Sequence, residues 1–153
     1  MAPGSISSAA PARRPREDTL RGVMHHIDLT VTDPVASAPL YHAVLTFMGY
    51  LHRQEFEWRL NTAQGHTSIS LNPAQGEHAG RPHDRYSPGL HHFAWRAETH
   101  EDVDRFHEML KEIGAEILDA PADYPQYNAG HGYYAVFFAD RDGLKLEYAW
   151  TLD

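Results

Sequence analysis

Three side chains in this chain have the type and the setting to hold a metal ion: His26, His92 and Glu147. The two histidines head near-copies of one pattern, His25-His26-Ile27-Asp28-Leu29-Thr30 and His91-His92-Phe93-Ala94-Trp95-Arg96. Alternation at period two marks a strand. It sends His26, Asp28 and Thr30 to one face and Ile27, Leu29 and Val31 to the other. In the copy, His92, Ala94 and Arg96 share a face opposite Phe93, Trp95 and Ala97. The last apolar run puts Lys145, Glu147 and Ala149 on one side and Leu144, Leu146 and Tyr148 on the other. A carboxylate in mid-sheet is costly to bury alone. Two imidazoles on equivalent strands would partner Glu147 through a shared cation. Two histidines and one carboxylate, with positions left open, suit a divalent metal that does chemistry. A lone histidine in a strand is more often a surface residue, but three such residues at matched places in a repeated frame favour the metal.

Other residues belong to the same predicted face or its rim. Asp28 could orient a ligand, bind substrate or serve as a base. Arg96 and Arg59 offer charge to an anionic substrate; for Arg96 a rim salt bridge is the equal alternative. Tyr133 could hydrogen-bond a substrate oxygen at the metal, and Tyr124, Tyr127 and His131 fall on a loop that could cover the site; Tyr133, His131 and Asp28 are the expected catalytic residues, one of them moving a proton. With His83, Arg85 and Tyr86 they suggest a lined pocket for a planar or polar organic molecule.

The elements that must position these residues occur in the same order twice. A strand over 24–32 leads through Asp33-Pro34, a helix-entry pair, into a helix over 35–48, with Pro39 inside it. Gly49 stops that helix, and strands follow near 50–53, 57–61 and 66–71. A polar connector, 72–88, separates the halves. The second half has a strand over 90–97 and a helix that Thr99 can cap, with Asp102 three residues on. It carries Val103, Phe106, Leu110 and Ile113 on one side and ends at Gly114. A short strand at 115–118, a loop at 119–132 and strands at 133–139 and 144–150 complete it. The reading is an α+β fold: two paired βαβββ modules, about 23–72 and 89–150, forming a curved, half-open mixed sheet barrel with helices outside and a cleft in front. Residues 1–22, rich in Ala, Ser, Pro and Arg, read as a disordered or loosely docked tail, leaving 23–153 as a single domain.

Composition narrows the function. A net charge of −8 argues against nucleic acid or an anionic membrane as the main partner. With no cysteine there is no thiolate metal site and no cysteine nucleophile. No run approaches a membrane span, and no apolar leader opens the chain, so a cytoplasmic protein is expected.

His25 to Asp33, Gly89 to Ala94 and Asp140 to Glu147 together resemble the vicinal oxygen chelate superfamily, which includes glyoxalase I, extradiol dioxygenases and bleomycin-binding proteins. The likeness spans about residues 23–150. It implies paired βαβββ modules, one divalent metal per site (Fe, Mn, Ni, Co or Zn) and a small substrate that chelates it through neighbouring oxygens. The family ligand is the histidine just before the alternating run, which again selects His26 and His92 over His25 and His91. Glyoxalase I adds a glutamate on the last strand of the first module, where this chain has Ser70, so three protein ligands are expected and glyoxalase I itself is disfavoured. Extradiol dioxygenases carry a tyrosine where this chain has Phe137, although His131 lies near the place of their extra histidine. Ser70 and Phe137 then become substrate-facing residues. The expected function is metal-dependent isomerase, lyase or related acid–base chemistry. An Fe(II)-dependent dioxygenase and a non-catalytic binding or resistance protein are the alternatives. A homodimer is expected from the family.

Overall fold

The computed structural model describes residues 21–152. The tail expected at 1–22, but for Arg21 and Gly22, lies outside the described residues. The first module comprises β1 (His26–Val31), α1 (Pro34–Phe47), β2 (Leu51–Gln54), β3 (Glu57–Thr62) and β4 (Gly65–Pro73). The second comprises β5 (Phe93–Arg96), α2 (His100–Glu112), β6 (Glu116–Asp123), β7 (Tyr133–Ala139) and β8 (Lys145–Thr151). Each forms a four-stranded mixed sheet, ordered β1-β4-β3-β2 and β5-β8-β7-β6. The parallel pairs β1–β4 and β5–β8 stand at equivalent places. The repeated βαβββ architecture is therefore the one the sequence predicts. No helix among the described residues is long and apolar enough to cross a membrane.

Local chemistry explains the boundaries. Asp33 accepts hydrogen bonds from the backbone N–H groups of Val35 (2.9 Å) and Ala36 (3.2 Å), capping α1. The helix runs unbroken past Pro39, which lacks a donor for the preceding turn. Thr99 caps α2 by accepting from Asp102 N–H (3.0 Å), while the Asp102 carboxylate accepts from Glu98 N–H (3.2 Å). Both helices end on a glycine at positive φ, Gly49 (87°) and Gly114 (69°). The loop expected at 119–132 is shorter than predicted, because β6 continues to Asp123 through two register shifts. Pro121 is tolerated there because β6 is an edge strand.

The apolar back faces build the core. Leu29, Val31, Trp58, Ile69 and Leu71 from the first sheet join Trp95, Val136, Phe138, Leu146 and Tyr148 from the second in one buried cluster, with Tyr41, Val44, Leu45, Val103, Phe106 and Leu110 from the helices. Each fully buried Leu or Phe contributes about 1.5–3 kcal/mol. The modules meet through this core: the Phe47 ring packs edge-on to Phe106 (5.2 Å) and Tyr148 (6.2 Å). Two polar contacts lock the junction. Tyr41 of α1 donates from its hydroxyl to the buried Asp140 carboxylate in the β7–β8 turn (2.7 Å). Thr32, just after β1, donates its N–H to Asp142 (2.8 Å).

This packing sets where the chemistry can be. With both back faces turned into one core, the front faces of the two sheets look away from it. No described strand of one sheet is hydrogen-bonded to a strand of the other. Edge-to-edge closure into one curved sheet is thus not made among the described residues.

Candidate metal centre

The front face of the second sheet carries a built carboxylate–imidazole pair. Glu147 is 1% exposed at the middle of β8, and its Oε2 lies 3.2 Å from Nε2 of His92. Its other oxygen accepts a hydrogen bond from the hydroxyl of Tyr133 on the neighbouring strand β7, where Tyr133 stands four positions before Phe137, the register partner of Glu147. Burial, and then the bond to Glu147, push the Tyr133 phenol well above its ordinary pKa, so Tyr133 keeps its proton and donates it. Two ligands of one divalent ion, each at about 2.1 Å, stand roughly 3.0–3.4 Å apart. The His92–Glu147 separation fits that requirement without rearrangement.

His92 is aimed by its neighbour. Nδ1 of His91 and Nδ1 of His92 are 2.8 Å apart, leaving Nε2 of His92 toward Glu147. Desolvation and the charges of His92, Arg85 and Lys145 hold the His91 imidazole below its usual pKa. A neutral His91 can accept from Nδ1–H of His92, which frees the Nε2 lone pair for a cation. The first module repeats the device, with His25 Nδ1 and His26 Nδ1 2.8 Å apart. His25 also rests edge-on against His66 (centroids 5.3 Å). Sequence reasoning gave His25 and His91 no role. The doubled histidine in both copies was the available signal.

The first sheet presents the other expected residues. His26 is exposed, its Nε2 3.8 Å from Asp28 Oδ2. Asp28 is the register partner of Ser70 in the β1–β4 ladder, as Ala94 is of Glu147 in β5–β8. Ser70 is therefore the pseudo-equivalent of Glu147, and the first sheet has no second carboxylate there. Arg59 lies opposite Ser68 on β3, 3.4 Å from Glu57, with its buried Nε lacking a hydrogen-bond partner.

The structure thus sorts the expected residues into two sets. His92, Arg96, Tyr133, Phe137 and Glu147 belong to the second sheet, with Tyr127 beside them. His26, Asp28, Arg59 and Ser70 belong to the first. His131 is exposed after the short turn Asn128–Gly130 and does not line the pocket at Glu147. Among the described residues, no three His, Asp or Glu side chains come together closely enough to hold a metal ion. His92 and Glu147 fit as two ligands; within the chain, His26 does not join them.

A pocket of about 300 Å³ opens beside the pair, lined by His91, His92, Tyr127, Tyr133, Phe137, Lys145 and Glu147. Phe137 is the cross-strand partner of Glu147. Tyr124 and Tyr127 fold over this face, with Tyr124 edge-on to Phe137 (5.3 Å) and Tyr127 edge-on to Tyr133 (5.3 Å).

Comparison with known proteins agrees with this fold. Residues 23–148 match the family model described as Glyoxalase/Bleomycin resistance protein/Dioxygenase superfamily. The Bacillus subtilis (strain 168) protein named Uncharacterized protein YqjT is 31% identical over 124 residues, 81% of this chain and 95% of that protein. Among solved structures, a chain from Bacillus halodurans aligns with a TM-score of 0.64 at 24% identity, over 85% of this chain and 96% of its own. A glyoxylase/bleomycin resistance protein/dioxygenase domain from Frankia sp. EAN1pec aligns with a TM-score of 0.61 at 23% identity, over 88% and 100%. The structural likeness is one of fold.

Proposed function

Since the chain belongs to the Glyoxalase/Bleomycin resistance protein/Dioxygenase superfamily, we propose that it is a divalent-metal-dependent enzyme for a small organic substrate with neighbouring oxygens, working as a homodimer. The observation that carries this reading is the preformed His92–Glu147 pair at 3.2 Å, fixed on one side by His91 and on the other by Tyr133. Each copy has this pair on one outward face and His26 with Asp28 on the other. A second copy that lays its first sheet over the pair would bring His26 as the third ligand. A two-fold axis makes that contact reciprocal, so two such sites form per dimer.

The bound cation would supply Lewis acidity toward two adjacent substrate oxygens. The chain's own residues do the rest. Tyr133 holds Glu147 in one orientation, and its retained proton makes it a donor rather than a base. Asp28 is the acid–base group of this reading. Its carboxylate is 59% exposed beside His26, able to take a proton from a substrate carbon or oxygen and return it. Serine at position 70 adds no fourth ligand, leaving room for two substrate oxygens.

The test is metal analysis after dialysis of the purified chain against Fe, Mn, Ni, Co and Zn salts. One tightly held ion per chain is expected, lost in Glu147→Gln and His92→Ala. A wild-type protein that takes up none of these ions at micromolar concentration would sink the enzyme reading.

A further inference from the structure

The pocket beside Glu147 has a cation and an aromatic wall that metal binding does not use. Lys145 precedes Glu147 by two positions on the same face of β8. Its Nζ lies 4.1 Å from the centroid of the Phe137 ring, a cation–π contact that keeps the ammonium in the pocket rather than out in solvent. Among the described residues no carboxylate is paired with it. Tyr127, on the loop before β7, is 47% exposed and also lines the pocket. Its ring is held from behind by Tyr124, stacked at 5.7 Å and 21°. Tyr124 is in turn braced edge-on against Phe137. Tyr127 is thus held in place by Tyr124 and Tyr133 while about half of it stays exposed at the pocket.

We propose that this pocket takes a flat organic acid of single-ring size, with its ring against Tyr127 and its anionic group on Lys145, whose ammonium Phe137 holds in place. The cavity, about 300 Å³, is at the small end of ligand pockets, which favours one ring over a nucleotide-sized molecule. Lys145 lines the same pocket as the His92–Glu147 pair, and its ammonium rests on the cross-strand partner of Glu147, Phe137. A planar ligand could place its anion on Lys145 and its far edge at that pair. Aromatic walls gain most from a planar, polarisable partner, and an unpaired, half-buried ammonium gains most from an anion. The alternative use of Lys145 is packing alone, its stem covering Phe137.

This inference rests on the reading of this face as the substrate side, but it can fail or stand separately from the metal. The experiment is a titration of the full chain with benzoate, benzamide and cyclohexanecarboxylate, followed by saturation-transfer NMR. Benzoate should bind in preference to both of the others. Lys145→Met should weaken benzoate about tenfold, the loss of one charge-assisted contact, and leave benzamide unchanged, which also reports that the variant is folded. Tyr127→Ala should weaken benzoate and benzamide together. Wild-type chain stripped of metal with a chelator should still bind benzoate, so a chain that holds no metal does not decide this result. Equal binding of benzoate and benzamide, or a Lys145→Met variant that binds benzoate like the wild type, overturns the proposal.

Discussion

Two copies of this chain that lack different ligands should repair each other. The perturbation is His26→Ala in one preparation and His92→Ala in the other. Both side chains are well exposed, 54% and 38%, so neither truncation opens a core cavity. In a two-fold dimer each site takes His26 from one copy and His92 with Glu147 from the other. A homodimer of either variant has both sites broken. A mixed dimer collects both defects in one site and leaves its second site with every ligand. Random reassociation makes half the dimers mixed, so the mixture regains roughly a quarter of the wild-type sites. The assay unfolds the two variants together in urea, dialyses them, and counts tight metal sites per chain by competition with a chromophoric chelator. The parents, treated alone, supply the zero. If the mixture stays at the level of its parents while refolding to wild-type circular dichroism, the shared site is refuted. Wild-type stoichiometry in the His26→Ala parent would refute the ligand role of His26.

Three further outcomes follow from contacts already described. Tyr133→Phe removes the donor to the buried Glu147 carboxylate and should cost about 1.5–3 kcal/mol in urea unfolding at pH 7. Because the folded phenol pKa is raised, the Tyr133 contribution should be complete below about pH 10, where unfolded tyrosine begins to ionise, and fall above it; Tyr133→Phe should lose that alkaline decline. Tyr41→Phe removes the buried inter-module bond to Asp140 and should cost about 1–3 kcal/mol. Burial raises the Asp140 carboxyl pKa, while the bonds from Tyr41, Leu144 and Asp142 oppose the rise. The stability linked to a raised carboxyl is present below its unfolded pKa and is lost as pH rises through the folded one. Without Tyr41 the folded value goes higher still, so the Tyr41→Phe deficit should be larger at pH 7 than at pH 4 in matched urea curves. His91→Ala should lower metal affinity roughly 10–100-fold with an unchanged unfolding midpoint, read by chelator competition.

The parts of the fold legible in the sequence are those whose signal is local and periodic. β1 alternates because Leu29 and Val31 are buried while His26, Asp28 and Thr30 are exposed. β8 gives the same reading because Leu146 and Tyr148 join the core. Ser70 could be matched to Glu147 because both ladders keep one register. β6 was legible only at its start: it is an exposed edge strand with two register shifts, so no alternation survives to mark its second half. The aiming contacts of His25 and His91 were not legible, since alternation alone sends the neighbour of a front-facing residue off that face.

The arrangement of the modules could not be read from the sequence for a different reason. A greasy back face reads the same whether it turns toward a helix of its own module, toward the other module, or both. What decides it here is Tyr41 reaching Asp140 across 99 positions, a helix residue and a turn residue with no periodic relation. That bond, with Thr32 on Asp142, ties the end of β1 and the middle of α1 to the β7–β8 turn and turns both front faces outward. A duplicated chain so locked has two unlike half-sites, one with Glu147 and one with Ser70 at the same register place. On the proposed reading, neither half alone has enough ligands for the metal, and two identical halves of the Glu147 kind would add a fourth ligand. The pairing of unlike halves is the combination that gives two imidazoles and one carboxylate, with coordination positions left for a chelating substrate.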